Sequence, residues 1–133
     1  MTASRPFPRV PVAAWCLYDW ANSPFPTVVT TFIFGAYFTS AVAGDAGAAQ
    51  GQWGIANAVA ALCVALLWPA LGSIADRTGR RKPWLAVFTF VMVAASALLW
   101  FVHPTPSDGL LLLALVCVGT VGFELGMVFY NAM

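Results

Sequence analysis

Apolar residues do not alternate with polar ones at period two or three to four along most of this chain; they come in long uncharged runs. The runs cover 20–44, 46–75, 83–107 with His103 neutral, and 109–123, and the last continues through 125–130 once Glu124 is admitted. A hydrocarbon core of ~30 Å needs ~20 helical residues at ~1.5 Å each, so each run reads as a membrane-spanning helix. The expected spans are about 12–43, 52–75, 83–103 and 109–130, with a loop at 76–82, in one transmembrane domain over 1–133. The fold class that follows is an all-α membrane protein with four transmembrane helices.

The links are short and carry turn chemistry: Gly44-Asp45-Ala46-Gly47, then Asp76 to Pro83, then His103-Pro104-Thr105-Pro106-Ser107-Asp108-Gly109. Consecutive spans are therefore antiparallel neighbours. Arg5 and Arg9 precede the first span and Arg77, Arg80, Arg81 and Lys82 join the second to the third, while the other two links hold no Lys or Arg. All six basic residues fall on one side, which the positive-inside rule makes cytoplasmic, together with both chain ends. Ala41-Val42-Ala43 has the form of a signal-peptidase site, but the apolar run before it exceeds the ~7–15 residues of a signal h-region.

Composition agrees with lipid as the solvent. Hydrophobic residues make up 61% and charged residues 8%, with mean hydropathy +0.83, too few charges to coat a soluble domain. A formal net charge of +1 points to neither nucleic acid nor an acidic partner. Cys16, Cys63 and Cys117 fit no disulfide or metal spacing and read as small buried hydrophobes, so no cofactor or metal is expected.

Two spans sort small residues to one side. In the second, Gly54, Ala58, Ala61, Ala65 and Gly72 project within a narrow arc and would let another backbone approach, and Pro69 is expected to bend the helix. In the fourth, Gly119, Gly122 and Gly126 lie opposite Thr120, Glu124 and Asn131. That polar face should look toward a bundle interior or a wet cavity, since an ionised carboxylate at a helix centre costs ~2.5–3.5 kcal/mol. Glu124 is read either as an ion-pair partner for Arg77 or Arg80, or as a cavity carboxylate that binds solute or exchanges a proton.

Tyr18-Asp19-Trp20-Ala21-Asn22-Ser23-Pro24-Phe25-Pro26-Thr27 is the other unusual stretch. Pro24 and Pro26 each remove a backbone donor, so a continuous ideal helix is not expected. Irregular backbone at membrane depth lines wet cavities in transporters, which makes Asp19 and Asn22 candidate solute contacts. The alternative is an aromatic interface belt of Trp15, Tyr18 and Trp20, with 27–44 spanning alone and Asp19 beside a helix start. His103 reads as a headgroup-region residue.

The most specific element is Gly72-Ser73-Ile74-Ala75-Asp76-Arg77-Thr78-Gly79-Arg80-Arg81-Lys82-Pro83. As plain chemistry it is a basic topogenic loop with Gly79 in the turn and Pro83 opening the next helix. It also resembles the major facilitator superfamily signature G-x-x-x-D-R-x-G-R-R-K, and it lies between the second and third spans, where that family carries it. The resemblance implies that Gly72, Asp76, Arg77, Gly79, Arg80 and Arg81 form a cytoplasmic gating latch, closed against a helix end in the other half of the protein. Tyr18-Asp19-Trp20-Ala21-Asn22-Ser23 and Phe129-Tyr130-Asn131-Ala132 are similar to the bacterial branch related to the fungal autophagy vacuole effluxers, a branch associated with amino-acid export.

Members of the superfamily have about twelve spans in two six-span halves. The resemblance therefore implies part of an amino-terminal half, whose missing carboxy-terminal helices supply the latch partner and the second wall of the site. The fourth span lacks the arginine motif of proton-coupled drug exporters. The expected function is a piece of a secondary transporter moving small solutes across the cytoplasmic membrane by alternating access, with Asp19, Asn22, Thr120, Glu124 and Asn131 as candidate contacts. The alternative is a complete four-span small multidrug exporter-like homodimer; the coding frame beyond Met133 would separate the two. No Ser-His-Asp, Cys-His or H-E-x-x-H arrangement points to an enzyme.

Overall fold

The computed structural model describes residues 9–79 and 81–132; the side chains of Arg9, Ala46, Ala75, Asp76 and Thr78 lie outside the description. Four helices are long and apolar enough to cross a membrane. We label them α1 (Val10–Val42), α2 (Ala46–Thr78), α3 (Arg81–Leu98) and α4 (Gly109–Asn131). Short 3-10 turns at Leu99–Phe101 and Pro106–Asp108 bracket the link between α3 and α4.

Local chemistry sets where the helices start and stop. Asp45 opens α2: its Oδ1 accepts the N–H of Gly47 at 3.0 Å and its carbonyl accepts the N–H of Ala49 at 2.9 Å. Gly79, at φ +61°, ends α2 in the left-handed conformation that side chains other than glycine's disfavour. Arg77 lies in the last turn of α2, where a cation meets the negative end of the helix dipole. Asp108 draws the outer link together, accepting the N–H of His103 at 3.1 Å and standing 3.5 Å from its Nδ1.

Helix α1 passes through its two prolines without a break, but not as an α-helix. Arg9–Asn22 is α-helical, Phe25–Ile33 is a π-helix beginning just after Pro24, Phe34–Tyr37 returns to α, and Phe38–Val42 is π again. Each proline removes a donor from the i to i+4 ladder, and the wider i to i+5 register takes over, as in the Ala43 N–H to Phe38 carbonyl bond of 2.9 Å. Hydroxyls add bonds to carbonyls along this stretch: Ser23 donates to Asp19 O at 2.9 Å, Thr27 to Ser23 O at 3.1 Å and Thr31 to Pro26 O at 2.9 Å. The helix is continuous from Val10 to Val42, and at 33 residues it outreaches the ~20 needed to cross a bilayer.

Helix α4 is the hub. One third of its apolar window is buried, against 11–17% for the other three. Gly119, Gly122 and Gly126 form its contact face. A Cβ at Gly122 would lie 3.1 Å from both the Met92 nitrogen and the Phe88 oxygen, so the α3 backbone comes directly against this glycine. At Gly119 a Cβ would lie 2.7 Å from the Phe25 ring. Trp84, Phe88 and Phe129 stack with centroids 5.7–6.2 Å apart and extend the α3–α4 seam. At the opposite end Phe38, Val42, Ala49, Leu99, Val102, Leu112 and Val116 form a core joining all four helices.

The small-residue face of α2 has a different fate. Gly54, Ala58, Ala61 and Ala65 are exposed and Gly72 is half-buried, and a Cβ at Gly54 or Gly72 would meet nothing within 4 Å. Helix α2 instead turns Ala49, Ala60 and Val64 inward. Its arc of small residues approaches no other backbone among the described residues.

Candidate functional site along the α1–α4 seam

Helices α1 and α4 run side by side, and their contacts fix the register. Tyr18 and Trp15 stack on Tyr130 at 5.0 Å, Asn22 reaches Met127, and Phe25 stacks on Phe123 at 5.8 Å. Asn22 is 95% buried, and its amide donates to the Met127 sulfur at 3.4 Å. Thioether sulfur is a weak acceptor, so this bond offsets little of the cost of burying the amide. Met127 lies seven residues after Thr120 and three after Glu124, on the same strip of α4. Asn22 therefore sits against the polar face of α4.

That face holds two groups without partners. The Thr120 hydroxyl is buried and has no hydrogen-bond partner among the described residues. Glu124 is half-buried, and among the described residues it forms no ion pair with Arg77; Arg80 lies outside the described residues. Asp19 and Asn131 are exposed, at the end of the bundle where α4 finishes, and Asn22 touches α4 at Met127, on the strip that also carries Thr120 and Glu124.

Four residues that the sequence reading did not count among the candidate contacts hold this end together. Tyr18 Oη and Thr89 Oγ1 are 2.7 Å apart and join α1 to α3, and Tyr130 Oη donates to the Trp15 carbonyl at 3.0 Å. Met127 completes the contact with Asn22. Tyr18 and Tyr130 both lie within the quoted family-like stretches, which was the available signal. Thr89 and Met127 carry none, because their partners stand 71 and 105 residues away.

In the basic motif between α2 and α3, Gly72 has open space beside it, Arg77 is exposed and Arg81 is half-buried at the start of α3. The Asp76 side chain and Arg80 lie outside the described residues. A separate groove of about 740 Å³ opens at the far end of the bundle, lined by Phe38, Val42, Asp45, Gln52, Ala56 and Leu113, and it touches none of the candidate contacts.

Four apolar helices around a hub, with polar groups turned into the seam, define a multi-pass α-helical membrane protein. The chain belongs to the Atg22-like vacuole effluxer family, whose model matches residues 48–133. It is also 40% identical over 124 residues to the uncharacterized MFS-type transporter YxiO of Bacillus subtilis (strain 168), an alignment covering 90% of this chain and 28% of the relative. The chain thus spans little more than a quarter of the length of the curated relative it matches. No solved structure matches.

Proposed function

We propose that these four helices are the first part of the amino-terminal half of a secondary transporter that moves small solutes, with amino acids the class its family suggests, by alternating access across the cytoplasmic membrane. Both ends lie on the cytoplasmic side in this reading, because all six basic residues precede the first span or join the second to the third, on one side. The observation that carries the proposal is one strip of α4: a half-buried carboxylate without an ion pair and a buried hydroxyl without a partner among the described residues, on the side where Met127 meets the buried Asn22 amide of α1. Hydrocarbon does not stabilise such a set, whereas a solute path requires one. Asp19 and Asn131 stand at its cytoplasmic mouth. The length of the Bacillus relative favours this reading over a self-contained four-span dimer.

The segment with Gly72, Asp76, Arg77, Gly79, Arg80 and Arg81 acts as the gating latch, and its partner comes from helices beyond this chain. The open space beside Gly72 and along Gly54 is where a further helix would seat. The test is solute flux by the full-length gene product in proteoliposomes, wild type against Glu124→Gln. Flux that depends on the protein and falls at least tenfold in the variant supports the reading; equal flux removes Glu124 from the path, and no protein-dependent flux of any solute removes the transporter.

A further inference from the structure

The groove at the end of the bundle away from the basic motif changes from polar to apolar along its length. On α2, Asp45, Gln52 and Val59 recur every seven residues and so share one strip of its wall. Asp45 stands at the rim, with Gln52 ~10 Å and Val59 ~21 Å further in, at ~1.5 Å per residue. The facing wall, from α4, carries Leu110, Leu113 and Cys117. One leaflet of hydrocarbon is ~15 Å deep, half of the ~30 Å core, so a groove of this length runs from the headgroups through that leaflet.

The rim carries charge of one sign. Asp45 Oδ1 accepts the N–H of Gly47, and its other oxygen has no partner among the described residues. Neither link at this end holds Lys or Arg, and Asp108 is taken up by His103 at 3.5 Å. The groove is also narrow. Its volume of about 740 Å³, spread over ~21 Å, leaves ~35 Å² in cross-section, less than half of the ~80 Å² that a helix ~10 Å across presents.

We propose that this groove holds one phospholipid with a primary ammonium headgroup, its acyl chain lying between Val59 of α2 and Leu113 and Cys117 of α4. The ammonium donates to the free oxygen of Asp45, and the Gln52 amide donates to an ester carbonyl deeper in the groove. A headgroup of net negative charge is repelled by the same carboxylate, and a quaternary ammonium has no N–H to donate. The inference goes beyond the transporter reading and does not depend on it, since it needs only helices that span a membrane.

The experiment titrates phosphatidylethanolamine, phosphatidylcholine or phosphatidylglycerol of identical chains into the full-length gene product in detergent, with bound lipid read by native mass spectrometry. The first phosphatidylethanolamine should bind about fivefold more tightly than phosphatidylglycerol, the effect of one charge near a membrane surface. Asp45→Asn, which caps α2 as well as Asp does, should erase that preference. Ala56→Trp, which fills the groove, should erase it too. Equal affinity for the three lipids in the wild type, or a preference that persists in either variant, overturns the proposal; persistence in both is what a further helix seated over the groove would give. If Ala56→Trp does not fold, Ala56→Leu takes its place in the same assay with the same expected loss.

Discussion

Helices α2 and α4 carry the same sequence device, glycines and alanines gathered on one helical face, and the structure uses it in opposite ways. On α4 the face is filled: Gly122 lies against the α3 backbone and Gly119 against the Phe25 ring. On α2 it is empty, with open space at Gly54 and Gly72. Small residues make close approach possible, but they do not supply a neighbour, and in lipid nothing drives an apolar face to find one except packing itself. A filled face marks contacts internal to these four helices. In the proposed reading, an empty one is where further helices would dock.

The contrast can be broken most severely at Gly122. Gly122→Leu places a side chain where the Met92 nitrogen and Phe88 oxygen stand 3.1 Å from a Cβ, and backbone cannot step aside as a side chain can. We expect α3 and α4 to separate, with a loss of about 3 kcal/mol or more in denaturant unfolding of the detergent-solubilised protein. Gly119→Ala should cost less, about 1 kcal/mol, because the atom it meets is the edge of the Phe25 ring, which can rotate. Gly79→Ala should cost about 1 kcal/mol through its left-handed φ alone, with no change in helix contacts by cysteine crosslinking. Tyr18→Phe, which deletes the 2.7 Å bond to Thr89, should cost about 0.6 kcal/mol, in the range of hydrogen bonds between membrane helices. Gly54→Ala should be neutral within about 0.5 kcal/mol in the 133-residue chain, and a larger loss in the full-length protein would show that the empty face is covered there.

The helices were legible in the sequence because the constraint behind them is coarse: a stretch of ~20 residues either carries charges or does not. The glycine face of α4 was legible for a similar reason, since residues 119, 122 and 126 at 100° per residue can only share a side. Which face of α2 would turn inward was not, because periodicity names a face without naming its neighbour. The two prolines announced irregular backbone, yet not its form, a π register that carries the chain through with serine and threonine hydroxyls on carbonyls four or five residues back.

The candidate contacts were partly legible. Thr120 and Glu124 stand out as polar residues in an apolar run, and Asn22 as an amide beside two prolines. That Asn22 would lie against the Thr120–Glu124 strip follows from the α1–α4 register, set by aromatic stacking between residues more than one hundred positions apart. The sequence marked Trp15 and Tyr18 as aromatic residues of one stretch, but not Tyr130 as the ring that both stack on.

All of this requires that the links between helices alternate across the bilayer. The direct measurement fuses alkaline phosphatase or a fluorescent protein after Asp45, after Lys82 and after Asp108 in cells. The account predicts active phosphatase and dark fluorophore at Asp45 and Asp108, with the reverse at Lys82. Matching signals at Asp45 and Lys82 would contradict it.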